Sequence, residues 1–498
     1  MLFNSYIFIL LFLPVTVIGY YLCNHVEKKQ TGQVGLAWLF VMSLWFYAYA
    51  EIRHLPLLLG ITIFNYLIGK RLIRKKEKFV LGLGITGNLL LLFYYKYMNF
   101  FMENLYALGE KQWDALEILL PLGISFLTFG EISYLVDCYH RAQTEKDSFF
   151  EFALWTVFFP KISSGPIMLY GEFAEQLRKK ENRILSYDNL SKGLYAFSMG
   201  LAKKVLLADN LGKLANPGFL SIGDLNTGTA VFVMLSYTLQ LYFDFSGYCD
   251  MGIGIGKMLN LNLPLNFNSP YKAVSVSDFW TRWHMTLTRF FTRYLYIPLG
   301  GSKKGKLRTY GNTLLVFLLS GLWHGANWTC VIWGGLHGIF MTLEKIISGG
   351  SKKNESEDRE GKYFSLKKAV GTCYAFVFVN FAWVFFRIPK ISDAALFFRR
   401  MLGGGIRLQQ NITDRVNDMI EIRLLGRLGL NPVIDRFPWL LATVILSIIL
   451  IGVLGTKNTT EKMEEEKYSL KRSMVTILLL IWSVISLSEV SEFLYFNF

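Results

Sequence analysis

The chain has 498 residues, 52% of them hydrophobic and only 18% charged, with a mean hydropathy of +0.34. No single water-soluble core could hide that much apolar surface, so a soluble globular protein is excluded and a membrane protein is expected. The formal net charge of +15 gathers in short basic stretches between apolar runs, where anionic lipid headgroups are the natural partner and nucleic acid is not.

Apolar runs able to cross a ~30 Å hydrocarbon core recur from end to end. In chain order they are Phe3–Leu22, Val34–Ala50, Leu55–Gly69, Phe79–Tyr95, Trp113–Leu135, Phe149–Leu169, Leu190–Leu206, Ala230–Phe245, Thr313–Leu343, Lys368–Phe386, Trp439–Leu454 and Val475–Leu487. Roughly a dozen spans are expected, all helical, because lipid offers backbone polar groups no partner. The first run lacks a basic n-region and a small-residue cleavage pattern, so it reads as a retained span rather than a signal peptide.

Basic residues cluster at Lys28-Lys29, Lys70–Lys78, Lys303–Arg308 and Ser348–Lys368. The positive-inside rule assigns all four to the cytoplasm and both termini to the outside. Arg387–Arg436 is also rich in arginine, yet span counting places it outside, as long loops can be despite their charge. The linker-like stretch Ser348–Lys362 reads as a flexible cytoplasmic loop, and no repeat of 20 to 50 residues is visible.

Cys23, Cys138, Cys249, Cys330 and Cys373 are scattered singly. Without C-x-x-C spacing they argue against a metal site or a disulfide framework, and apolar packing is their expected role. No nucleophile elbow, P-loop or H-E-x-x-H occurs. "GIGIG" at Gly252–Gly256 lacks a soluble strand before it and reads as a tightly packed or broken membrane helix.

Of six histidines, His25 and His54 fall at span ends and His140 beside Arg141, where interfacial or packing roles suffice. The other three are closer to chemistry. Taken as one helix at 100° per residue, Ser277–Gly301 places His284 on an apolar face with Trp280, Leu287 and Phe291, and Arg282, Arg289 and Arg293 on the opposite face. Ser277 or Asp278 would cap it, Pro298 with Gly300-Gly301 would end it, and an interfacial or re-entrant helix is expected. The arginine stripe would snorkel to lipid phosphate or guide a phosphate-bearing ligand.

His324 sits between Gly321 and Gly325 and is flanked by Trp323 and Trp328, at a depth where an ionisable group marks function by default. Shielded from water, its ring would stay neutral and able to accept a proton. His337 is 13 residues further on, about 140° away on a continuous helix. It reads as a helix-packing residue beside Gly334, Gly335 and Gly338, although "GANW" could break the helix between the two.

The run "FNSPYKAVSVSDFWTRWHMTLTRFFTRYLYIPLGG" (Phe267–Gly301), followed by "GLWHGANWTCVIWGGLHG" (Gly321–Gly338), resembles the membrane-bound O-acyltransferase (MBOAT) family, in particular its bacterial alginate O-acetyltransferase branch. "LPLGISFLTFGEISYLVD", "FFPKISSGPI" and "YFDFSGYCDMGIG" extend the resemblance over most of the chain, weakening after about Arg387, with Glu131 and Lys161 as departures. It implies an all-α polytopic fold, a ring of roughly a dozen helices with re-entrant or interfacial pieces around a central tunnel. Residues 1–498 would form one acyltransferase domain, with core motifs at 120–345, a cytoplasmic loop at about 348–368 and a less typical part at 387–498.

The resemblance further implies that His324 is catalytic and that His284 lines the reaction tunnel. Arg282, Arg289 and Arg293 stand, from their shared helical face, as candidate donor contacts, and no metal is expected. A hydroxyl attacks a thioester only as its proton is withdrawn, which suits His324 as general base. His284 could position the acyl carbonyl, share protons or give structural support. The implied donor is cytoplasmic acetyl-CoA, with no permanently bound cofactor. The implied acceptor is an exported polysaccharide or cell-wall glycan, reached through an outward-facing esterase-like partner at the bacterial inner membrane. D-alanyl transfer to teichoic acid stays open within the family, as do a proton-coupled transporter and a membrane scaffold outside it.

Overall fold

The computed structural model describes residues 1–27, 32–141, 148–348, 366–430, 436–465, 469–487 and 493–494. Among them every regular element is helical. The Lys28-Lys29 cluster and most of the expected cytoplasmic loop lie outside the described residues.

Among the described residues six helical runs are long and apolar enough to cross a membrane: Phe8–Val26, Gln33–Arg74, Lys78–Ala107, Trp328–Ile347, Leu366–Arg387 and Pro438–Gly455. Fewer appear than the dozen apolar runs suggested, because apolar sequence is also spent on short buried helices. Phe149–Val157 and Phe159–Ile162 replace one expected span. Pro160 in the first turn of the second piece starts a new helix rather than extending the old one. Trp113–Leu135 is likewise interrupted, with the helix beginning only at Ile124 after Gly123 at φ 70°. The 42-residue run Gln33–Arg74 breaks at Glu51 (φ −158°, ψ 85°), matching the two spans expected there.

Contacts gather the chain into two compact units. The first comprises Met1–Val205, Phe245–Leu265 and Thr459–Phe498. Its helices are joined by small residues and buried amides, the means available where lipid removes any hydrophobic drive between helices. Asn65 and Asn88 exchange side-chain hydrogen bonds of 3.1 and 2.7 Å. Tyr187–Ala202 meets Phe245–Met258 through two glycine pairs: a Cβ on Gly193 would fall 2.6 Å from Gly254 O, and one on Gly200 would fall 2.5 Å from Gly247 O. The "GIGIG" stretch is thus a tightly packed, unbroken part of Thr227–Met258.

The two departures from the family pattern belong together in this unit. The Thr156 hydroxyl donates to fully buried Glu131 at 3.0 Å. Lys161, which interacts electrostatically with Glu131, holds its ammonium 3.9 Å from the centre of the Trp155 ring.

The second unit comprises Leu206–Asp244 and Asn266–Asn458. Its centre is the hairpin of Lys306–His324 and Trp328–Ile347. The helices touch where a Cβ on Gly321 would lie 2.2 Å from Cys330 O and one on Gly334 2.2 Å from Phe317 O. Asn327 starts the second helix by accepting from Cys330 N–H at 2.8 Å. "GANW" therefore breaks the expected Thr313–Leu343 span in two.

Candidate active site

The hairpin turn fixes His324 as the last residue of Lys306–His324, with only 1% of its surface exposed. Around its ring stand Trp323 (centroids 4.8 Å apart), Trp333 (5.1 Å) and Phe386 (5.3 Å). The His284 ring completes the enclosure at 6.3 Å.

His284 reaches that position through a break in the chain, where a single helix over Ser277–Gly301 was predicted. Val276–Arg282 is capped by Ser275, whose hydroxyl accepts from Asp278 N–H at 2.9 Å, rather than by Ser277 or Asp278. The Val276 and Ser277 amides donate to Glu344 on Trp328–Ile347 at 2.7 and 2.9 Å, tying this helix to the hairpin. Trp283 is then extended, and His284 adopts the left-handed conformation (φ 45°, ψ 50°) before Met285–Phe291 begins. A left-handed non-glycine residue costs about 1–2 kcal/mol, and such strain gathers at functional positions.

The segment around Asn266 causes the break by taking the hydrogen bonds a helix would need. Asn268 N–H donates to Arg282 O at 2.9 Å, and Met285 N–H donates to Asn266 O at 3.0 Å. Asn266 Oδ1 also accepts from the Thr286 backbone N–H at 3.2 Å and from its hydroxyl at 2.7 Å, and lies 3.2 Å from His284 Nδ1. Because a backbone N–H only donates, the amide atom facing it is the oxygen. His284 must then donate from Nδ1, which leaves Nε2 as the lone-pair nitrogen of the neutral ring. Burial pushes the His284 pKa down to about 3, keeping the ring neutral.

The structure brings His284 and His324 together and places His337 behind Trp333, whose ring lies 5.1 Å from His324 and 5.0 Å from His337. Trp280 donates its indole N–H to His337 Nδ1 at 3.0 Å, a packing role of the kind expected for that histidine.

The arginine stripe is not continuous. Such a stripe requires one straight helix, and the break at Trp283–His284 puts Arg282 on one helical piece, Arg289 on the next and Arg293 in the turn Thr292–Tyr296. Arg282 pairs with Asp278 at 2.8 Å. Arg293 is exposed, with its guanidinium 5.3 Å from the centre of the Tyr294 ring.

Sequence reasoning missed Asn266, Trp333 and Phe386 as parts of this site. Asn266 is 18 residues before His284 and precedes the helix that begins at Val276, so no helical wheel over Ser277–Gly301 includes it, and its one signal is a polar side chain between apolar neighbours. Together these groups form a buried aromatic enclosure holding two imidazoles, one with its tautomer set from behind. Such an arrangement can accept a proton from a hydroxyl and return it to a leaving thiolate.

A profile of MBOAT, the membrane-bound O-acyltransferase family, matches residues 81–385, which include both histidines. Over its whole length the chain is 37% identical to a peptidoglycan O-acetyltransferase of Helicobacter pylori, with 98% of that protein covered. It is 36% identical to the probable alginate O-acetylase AlgI of Pseudomonas putida over 81% of both chains. It is 30% identical to a teichoic acid D-alanyltransferase of Bacillus subtilis over 47% of this chain and 60% of that one.

Proposed function

The chain belongs to the membrane-bound O-acyltransferase family and is a multi-pass O-acyltransferase, and we propose that it moves acetyl groups from cytoplasmic acetyl-CoA across the bacterial inner membrane for transfer to peptidoglycan or another exported glycan. The observation that carries the chemical part is the buried meeting of His324 and His284. The full-length likeness to a peptidoglycan O-acetyltransferase supports the acetyl group and the glycan. The D-alanyl alternative has only partial-length support.

His324 acts as general base. As the acceptor hydroxyl oxygen bonds to the thioester carbonyl carbon, the imidazole takes the hydroxyl proton. The tetrahedral intermediate collapses with cleavage of the carbon–sulfur bond, and the imidazolium returns a proton to the departing thiolate. With Nε2 as a lone pair His284 offers a hydrogen-bond acceptor rather than a donor to an oxyanion, which supports sharing the acceptor hydroxyl's proton over positioning the carbonyl. Arg289 and Arg293 attract the phosphates of the donor.

The test supplies labelled acetyl-CoA to purified chain together with an outward-facing esterase-like acyltransferase and glycan, and follows thiol release and acetyl transfer. Wild type should turn over. His324→Ala, inserted and monodisperse, should lose at least ~10²–10⁴-fold, as expected for a missing general base. Near-normal transfer by that variant would remove His324 from the mechanism, and turnover with a D-alanyl carrier in place of acetyl-CoA would move the enzyme to the other branch.

A further inference from the structure

Within the first unit a groove of ≈ 960 Å³ follows the N-terminal helix. That is the upper end of the range for small-molecule sites. Ile9, Leu13, Val17, Tyr21 and His25 line it at every fourth position, a stripe about 24 Å long at 1.5 Å per residue. Leu194 of Tyr187–Ala202 and Leu480 of Leu470–Ile485 form walls.

The groove changes character along its length. Its Ile9–Val17 part is apolar, while the other end carries His25, Lys180, Arg183 and Tyr187. This end is a built feature. Asn260 donates from Nδ2 to the carbonyls of Asn182 and Ile184 at 3.2 and 2.7 Å, clamping the turn that bears both cations. Arg183 packs on Gly32, where a Cβ would come 2.3 Å from Nε and where φ is +77°. The carboxylate at this end, Glu27, accepts from Gly32 N–H at 2.6 Å.

We propose that this groove holds one phospholipid with an anionic headgroup, its tail along the Ile9–Val17 stripe and its phosphate at Lys180, Arg183 and His25. A lipid that only fills annular space needs no cationic end. Here lysine and arginine meet at one end of a tail-shaped recess, and guanidinium geometry suits phosphate oxygens. Tyr21 and Tyr187 mark that end as headgroup level, where amphipathic rings settle.

The test is native mass spectrometry of the purified full chain, delipidated and then titrated with phosphatidylglycerol or phosphatidylcholine. Wild type should retain one phosphatidylglycerol in preference to phosphatidylcholine. That preference should fall about fivefold for each cation removed in Lys180→Gln and Arg183→Gln. Leu194→Trp, which fills the apolar part, should weaken retention of both lipids. Equal retention of the two lipids by wild type, a preference unchanged in Lys180→Gln, or full retention in Leu194→Trp would each overturn the proposal.

Discussion

Asn266 holds His284 by the back of its ring: one amide oxygen lies 3.2 Å from His284 Nδ1 while accepting from both the backbone N–H and the hydroxyl of Thr286. The same contacts that fix the imidazole tautomer also divert residues 282–286 from helical geometry, so the orientation of the ring and the local fold have one cause. Asn266→Leu should lower kcat, by roughly 10–100-fold if the loss matches that of a partner orienting a metal-bound histidine.

The pH profile separates this role from a purely structural one. With the wild-type His284 pKa pushed down to about 3 by burial, its ring stays neutral and should leave no ionisation in the activity profile between about pH 5 and about pH 8. Asn266→Asp places a carboxylate beside Nδ1 and favours the imidazolium, raising the His284 pKa. Its activity should therefore fall as pH drops through the raised value and recover on the alkaline side. An acid limb identical to wild type would show that Asn266 does not govern His284.

His337 should matter for stability rather than chemistry. His337→Phe keeps an aromatic ring but leaves the Trp280 N–H without its acceptor, an expected cost of about 1–3 kcal/mol for a buried donor. A thermal unfolding scan should show a lower Tm, and the surviving folded enzyme should retain kcat within a few-fold. Loss of turnover at unchanged Tm would instead place His337 in the reaction.

The sequence made some of this legible and hid the rest for identifiable reasons. Apolar runs identified the membrane class, and the glycines around His324 marked it before any geometry was known. Periodicity failed at His284, because a helical wheel assumes an unbroken backbone and the break is imposed by Asn266, a partner 18 residues away. The arginine stripe presupposes the same unbroken helix, which the structure divides at Trp283–His284. Apolar runs also could not distinguish spanning helices from buried ones, since Phe149–Val157 and Pro438–Gly455 are equally rich in large apolar side chains.

Two glycines of identical local sequence preference should respond oppositely to alanine. A methyl group on Gly200 would press against the backbone of Phe245–Met258, 2.5 Å from Gly247 O and 2.7 Å from Met251 N, so the helices must separate. Gly200→Ala should destabilise by about 1–3 kcal/mol. Gly82, on Lys78–Leu92, has nothing within 4 Å of its Cβ position. Gly82→Ala should be neutral or stabilising by up to about 1 kcal/mol through helix propensity. Thermal melts of the two variants in one detergent decide the matter.

The separated arginines give a sharper donor-binding test than a common stripe would. Arg282 is engaged with Asp278 on its own helical piece, so Arg282→Gln should leave the apparent KM for acetyl-CoA nearly unchanged. Arg289→Gln combined with Arg293→Gln should raise KM more than it lowers kcat if the two arginines bind donor phosphate equally in ground and transition states. An unchanged KM in the double variant would assign both side chains to lipid headgroups.

The last prediction is that this chain passes its acyl group to a second, outward-facing protein. His284 and His324 are 0% and 1% exposed, walled by Trp323, Trp333 and Phe386. A polysaccharide hydroxyl could approach them only if that aromatic enclosure opened widely, which would also admit water to the thioester and breach the bilayer seal. A single side-chain hydroxyl of a protein, entering by a narrow passage, can meet the thioester at His324, its oxygen bonding to the acetyl carbon as the carbon–sulfur bond breaks, and that protein then delivers the acetyl ester to sugar hydroxyls. The decisive measurement uses the purified chain in liposomes, with labelled acetyl-CoA on the cytoplasmic face and glycan on the other. Label should stay off the glycan until an esterase-like acyltransferase is added on the glycan side, and efficient acetylation by the chain alone would rule out the relay.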